Sequence, residues 1–213
     1  MRTDDLVEAL AADARPVDAG AVRRRFRDRL LWGPAIALVL MLLALGPRPD
    51  LAEAMRLPMF WVKAGVPAFI AAACWLLVSR LGHPGVATGR SLLAAVAPLP
   101  MLTLVGLLVL WNAAPAERPG MLFGQTWKQC LLAIPLLALP ALALAMAALR
   151  GLAPTRLALA GAAAGLFAGG AGAFAYAFHC PELEAPFLGA WYVAGMLIPA
   201  ALGALAGRRL LRW

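Results

Sequence analysis

Charge is scarce in this sequence, and acidic charge is scarcest. Of 213 residues only 14% are charged, with 11 Asp+Glu against 19 Lys+Arg, and there are 2 histidines and 3 cysteines. A soluble domain carries roughly 25% charged residues and no more than about half apolar ones, whereas here 63% are hydrophobic and the mean hydropathy is +0.80. This excludes an ordinary soluble globular domain and leaves no stretch long enough for a separate soluble catalytic domain. Motifs of common enzyme chemistries are missing as well: there is no HExxH, no CxxC, no Gly-rich phosphate loop and no Ser-His-Asp arrangement. His83 and His179 lie at opposite ends of apolar runs, so they cannot share a site. No Asp or Glu sits deep within an apolar run, where ion-coupled transporters keep ionisable groups on their pathway. The net charge of +8 suggests nucleic acid at first sight. The arginines, however, cluster at the ends of apolar runs, as membrane topology requires, and no direct nucleic-acid binding is expected.

What is present is long apolar stretches. Six stand out, approximately Leu30–Gly46, Met59–Leu81, Leu92–Asn112, Trp127–Leu149, Leu157–Phe178 and Phe187–Gly207. They are rich in Ala and Leu and lack period-two alternation, which argues for helices rather than barrel strands. The expected fold is an all-α integral membrane protein with six transmembrane helices over residues 30–213. A short amphipathic helix is expected within a preceding segment, residues 1–29. That polar lead is too long for the basic region of a signal peptide and is read as retained.

The basic residues set the expected orientation. One side collects Arg2, Arg15, Arg23, Arg24, Arg25, Arg27 and Arg29, then Arg80, Arg90, Arg150, Arg156, Arg208, Arg209 and Arg212. The other side takes Arg48, Arg56, Lys63, Arg118 and Lys128. The imbalance predicts a multi-pass protein of the bacterial inner membrane with both termini cytoplasmic. Lys63, near the outer end of the second run, is expected to snorkel to the interface. Gly161, Gly165 and Gly169 share one helix face, and Gly203 and Gly207 repeat the spacing in the last run. Such ridges allow close helix approach, either inside one bundle or across a homodimer.

The start of the chain, "MRTDDLVEALAADARPV", reads as a short helix. Thr3 or Asp4 can cap it, and Asp4 and Asp5 suit its positive end. Leu6, Val7 and Leu10 share a face through three- and four-residue spacings, Asp4, Asp5, Glu8 and Asp13 make the remainder acidic, and Pro16 stops it. About three turns are too few to be stable alone in water. An acidic helix is also poorly suited to lie on an anionic membrane. It suits a partner with an apolar groove and a basic rim. The run "RRRFRDR", residues 23–29, reads instead as a headgroup anchor.

Taken in order, "TDDLVEALAADARPV", "RPDL" after the first run, "GQTWKQC" before the fourth, "HCPELEAPFLGAWY" before the sixth and the closing "GRRLLRW" resemble the NrsF family, the negative regulators of sigma F. These are six-span membrane anti-sigma factors, and the resemblance covers essentially the whole chain. It implies that the N-terminal segment holds an extracytoplasmic-function sigma factor away from RNA polymerase. Leu6, Val7 and Leu10 would then be apolar contacts, and Asp4, Asp5 and Glu8 would face basic groups of the partner. The alternatives are a small transporter or channel and a membrane thiol oxidoreductase.

With both termini inside, the "FHCPELEAPF" loop, residues 178–187, faces the periplasm together with Cys130. Cys74 reads as a small core residue. Three readings of Cys130 and Cys180 stand. They form a disulfide if their α-carbons lie within about 4.4–6.8 Å; with His179, and Glu182 as a further ligand, they bind a soft metal ion transiently; or they are apart and inert. The resemblance implies that Cys130, His179 and Cys180 take in a metal or oxidant signal. No other cofactor is expected. Glu182 and Glu184 have a simpler role open to them, loop solvation.

Overall fold

A computed structural model describes residues Arg2–Ala12 and Asp18–Arg212; the side chains of Leu6, Leu10 and Ala19 are outside that description. Asp13 and Pro16, named above, lie outside the described residues. Among the described residues every regular element is helical. The elements are α1 (Thr3–Ala12), α2 (Ala19–Ala44), α3 (Leu51–Ala54), α4 (Pro58–Leu81), α5 (Gly89–Val96), α6 (Pro98–Asn112), α7 (Arg118–Phe123), α8 (Trp127–Arg150), α9 (Leu157–Ala177), α10 (Ala185–Phe187), a π-helical turn at Leu188–Tyr192 and α11 (Val193–Leu210).

Among the described residues five continuous stretches are long and apolar enough to cross a bilayer: Pro58–Leu81, Gly89–Asn112, Arg118–Arg150, Leu157–Ala177 and Ala185–Leu210. The first expected span does not reach that standard. α2 is 26 residues long, but its first half carries five arginines, so its apolar part is only Leu30–Ala44, short of the roughly 20 residues a bilayer needs. Asp18 caps α2, its Oδ1 accepting from the Ala21 amide at 3.0 Å, and the helix then runs unbroken through residues 29 and 30.

α9 is the hub. Its Ala- and Gly-rich sequence is apolar all round, and sixteen of its residues, including Phe167 and Tyr176, are buried, as expected for a helix enclosed on every side. Its glycines face three neighbours. A Cβ on Gly169 would meet the Met196 carbonyl oxygen of α11 at 2.6 Å, one on Gly170 the Pro67 carbonyl oxygen of α4 at 2.8 Å, and one on Gly172 the Ile134 carbonyl oxygen of α8 at 2.6 Å. Gly161 and Gly203 face each other across the α9–α11 crossing. The ridges of both helices are therefore used inside one bundle. α6 is peripheral and presents Met101, Leu104, Leu107, Leu108 and Trp111 outward, the pattern of a lipid-facing helix.

Hydrogen bonds near the helix ends set α2 and α9 antiparallel to α8 and α11. At the arginine-rich end Arg29 Nη1 donates to the Ala147 carbonyl at 2.6 Å, and Arg150 Nε to the Leu210 carbonyl at 3.0 Å. At the opposite end His179 meets the chain after α2, and Glu182 meets the start of α8.

Candidate functional site

The 178–187 loop is built by the end of α9. The amides of His179 and Cys180 both donate to the Tyr176 carbonyl at 3.0 Å, closing the helix, and Pro181 then prevents its continuation. The loop's own carbonyls point back into the bundle and are taken by two cations. Lys63 Nζ donates to the Cys180 carbonyl at 2.6 Å and to the Glu182 carbonyl at 2.7 Å. Arg48 Nη1 donates to the Cys180 and Pro181 carbonyls at 3.3 and 3.2 Å, and its amide to the Phe178 carbonyl at 3.0 Å.

Lys63 is thus the main departure from expectation. It does not snorkel; it is 2% exposed, turned inward with its Nζ over the Tyr192 ring at 5.4 Å. A lysine near the end of an apolar run ordinarily reaches for water. Here the following loops cover that end of α4, and backbone carbonyls replace the water. Arg48 is also buried and forms a two-pronged pair with Asp50, Nε to Oδ1 at 2.7 Å and Nη2 to Oδ2 at 2.5 Å. The hydrogen bonds from Arg48 hold the exposed Asp50 carboxyl below its ordinary value, and the same bonds to Asp50 raise Arg48 despite its burial.

The structure brings both expected cysteines to this place. Thr126 is the N-cap residue of α8, one turn before Cys130, its carbonyl accepting from the Cys130 amide at 2.9 Å, and its hydroxyl lies 3.8 Å from Cys180 Sγ. Both thiols are fully buried and unbridged. Tyr176 and Tyr192 pack beside them, ring centroids 6.2 Å apart, and among the described residues neither hydroxyl has a hydrogen-bond partner. His179 faces elsewhere. Its Nδ1 donates to the Gly46 carbonyl at 2.8 Å, which fixes the proton on that nitrogen, and its ring lies 5.6 Å from that of Tyr176. Among the described residues no three His, Cys, Asp or Glu side chains converge into a set able to hold a metal ion. Cys74 is buried in the core at the middle of α4.

Glu182 is more than loop solvation. Its Oε1 accepts from the Gln125 amide at 2.7 Å and from the Thr126 hydroxyl at 3.4 Å. Gly124, at φ 52°, permits this: a Cβ there would run into the Glu182 carboxyl at 2.6 Å. The π turn adds the last contact, since it leaves Trp191 Nε1 donating to the Leu122 carbonyl at 2.8 Å while Thr103 Oγ1 takes up the Gly189 carbonyl at 2.9 Å. Lys63, Arg48 and Thr126 escaped sequence reasoning. The signal for the first two was the presence of cations among the few basic residues on the sparsely charged side.

At the other end of the chain, α1 carries Asp4 and Asp5 in its first turn, and Asp5 Oδ2 accepts from the Arg2 amide at 3.1 Å. Asp4, Asp5 and Glu8 are exposed, as is Val7 at 60%. α1 and the cysteine cluster are separate features of the chain.

The class is an all-helical protein with, among the described residues, five helices long and apolar enough to cross a membrane, a polar clamp over two buried thiols and an exposed acidic helix near its start. The chain belongs to the NrsF family, described as negative regulator of sigma F, which matches residues 10–213. It is 46% identical over 213 residues to a probable anti-sigma-F factor NrsF of Azospira oryzae, covering all of both chains. It is 42% identical over 214 residues to the anti-sigma-F factor NrsF of Caulobacter vibrioides, again over the full length of both. No solved structure matches.

Proposed function

We propose that this protein is a membrane-embedded anti-sigma factor of the inner membrane that holds an extracytoplasmic-function sigma factor through α1 and releases it on a periplasmic signal at Cys130 and Cys180. The observation that carries the first half is an exposed apolar residue, Val7, within an acidic helical surface of Asp4, Asp5 and Glu8, in a chain whose relatives are named anti-sigma-F factors. Leu6 and Leu10 complete the apolar contact, and the sigma factor supplies a groove with basic groups. If the short apolar part of α2, Leu30–Ala44, counts as a sixth pass beside the five spanning-length stretches, the arginine bias keeps both termini in the cytoplasm.

The second half draws on the clamp. α2 ends at Ala44, and Gly46 and Arg48 just beyond it bond His179, Phe178, Cys180 and Pro181. One continuous helix therefore connects the cysteine loop to the segment bearing α1. A periplasmic two-electron oxidant that takes both thiol hydrogens and leaves a disulfide, or a soft metal ion that displaces both thiol protons, moves the loop and with it α2. Routing the signal through α2 needs no sliding of α8 against α9.

The test is binding of a sigma factor encoded beside the gene to full-length protein in detergent, compared with Leu6→Asp/Leu10→Asp. Saturable binding that falls by at least about tenfold in the variant, some 1.4 kcal/mol, supports the reading. Equal binding by both, or none by either, overturns it.

A further inference from the structure

A second site stands at the arginine-rich end, far from the cysteines. The basic half of α2 and the last turns of α4 enclose a groove of about 710 Å³, within the range of small-ligand sites. From α2 it receives two adjacent stripes, each one turn long: Val22 and Phe26, and beside them Arg23 and Arg27. From α4 come Trp75 and Ser79, followed at the same four-residue spacing by His83 just past the helix end, and Leu152 closes the groove. Its floor is therefore apolar and its rim cationic.

Two polar groups on the floor are already occupied. Ser79 Oγ donates to the Trp75 carbonyl at 2.8 Å, and His83 Nδ1 donates to the Ser79 carbonyl at 2.8 Å. The two guanidiniums remain for an anion, and they are exposed, Arg27 being shared with Asp28 at 3.0 Å. Depth identifies the occupant. The apolar part of α2 starts at Leu30 and α4 ends at Leu81, so the groove straddles the boundary between acyl chains and headgroups.

We propose that this groove binds one anionic phospholipid, its phosphate between Arg23 and Arg27 and an acyl chain along Phe26 and Trp75. Basic pockets between helices on the cytoplasmic face recognise such headgroups. A ten-residue helix such as α1 has the acidic charge to compete, but at about 10–12 Å across and 15 Å long it could insert only side chains. The site rests on the chain spanning a bilayer and not on sigma-factor binding.

The test is native mass spectrometry of the full chain in detergent, offered phosphatidylglycerol and phosphatidylcholine at equal concentration. Two arginines at about 1 kcal/mol each predict a preference of about 30-fold for one phosphatidylglycerol. Arg23→Gln/Arg27→Gln should abolish the preference, and Arg208→Gln/Arg209→Gln, with the same charge change elsewhere, should keep it. No preference in the unaltered chain, or equal loss in both variants, overturns the proposal. So does a rise in phosphatidylglycerol retention when Asp4, Asp5 and Glu8 are replaced by their amides, since α1 would then be the occupant.

Discussion

Lys63 shows how one side chain can organise a membrane-protein loop. Its two hydrogen bonds go to carbonyls on either side of Pro181, and hydrogen bonds to charged groups are worth about 1.5–3 kcal/mol each. Lys63→Met removes both, leaving the Glu182 carbonyl without this donor and the Cys180 carbonyl with Arg48 alone, while sparing the cost of burying an ammonium. We expect a net loss of about 2–4 kcal/mol, read as a lower melting temperature in detergent, and faster maleimide labelling of Cys180, which is fully buried in the intact protein. Unchanged labelling would mean that Lys63 does not hold the loop. The neighbouring Arg48–Asp50 pair gives a pH signature. Asp50 is depressed in the folded state, so its contribution is complete above the ordinary carboxylate value and fades as pH falls below about 4. Asp50→Asn should therefore flatten the acid side of the melting-temperature profile between about pH 5 and pH 3. A profile that stays parallel to that of the unaltered protein would contradict this.

At the scale of elements, the glycine ridges carry the clearest consequence. Gly203 and Gly161 sit backbone to backbone, so Gly203→Leu forces α9 and α11 apart, and overpacking of this kind costs about 1–3 kcal/mol or more. Gly65, in α4, has nothing within 4 Å of its Cβ position. Gly65→Ala should be neutral or stabilising by up to about 1 kcal/mol. Monodispersity and melting temperature of the two variants in detergent decide it, and equal behaviour would refute the assigned crossing. These ridges were legible, because small residues at four-residue spacing predict close approach whatever the partner helix. The long helices were legible for a related reason: apolar runs such as Leu157–Phe178 leave the backbone no other way to satisfy its hydrogen bonds. The break at Ala97 follows from Pro98 and Pro100, which have no amide to donate, but the π turn at Leu188–Tyr192 was not legible, because it depends on what packs across it. Lys63 was misread for the same reason, since hydropathy along one helix cannot register a loop that folds over its end. Cys130 and Cys180 were singled out by their scarcity in the sequence, and Thr126, whose hydroxyl lies 3.8 Å from Cys180 Sγ, was not, because a lone threonine carries no spacing signal.

For the whole molecule, the decisive feature is that α2 touches both candidate sites. Its start follows α1 and lines the groove with Arg23 and Arg27, and its far end is tied by Gly46 and Arg48 to the loop bearing Cys180. A signal at the thiols is useful only if the two loop states hold α2 differently, because a perturbation shifts an equilibrium by no more than its differential interaction with the two states. Cutting the tie should thus separate reception from response. In Arg48→Gln/His179→Phe the side-chain hydrogen bonds from the loop to the chain after α2 are lost, leaving only the Arg48 amide on the Phe178 carbonyl, whereas α1 and the two thiols are unaltered. Sigma-factor binding at rest should stay within about threefold of the unaltered protein, which is under 1 kcal/mol. Release on treatment with a thiol oxidant or a soft metal ion should disappear, measured as oxidant-induced loss of sigma-factor co-purification from detergent. Cys130→Ser/Cys180→Ser should behave the same way. If release persists in the Arg48/His179 variant but not in the cysteine variant, the signal travels by α8 and α9 instead; if it persists in both, the buried thiols are structural and the input lies elsewhere in the chain.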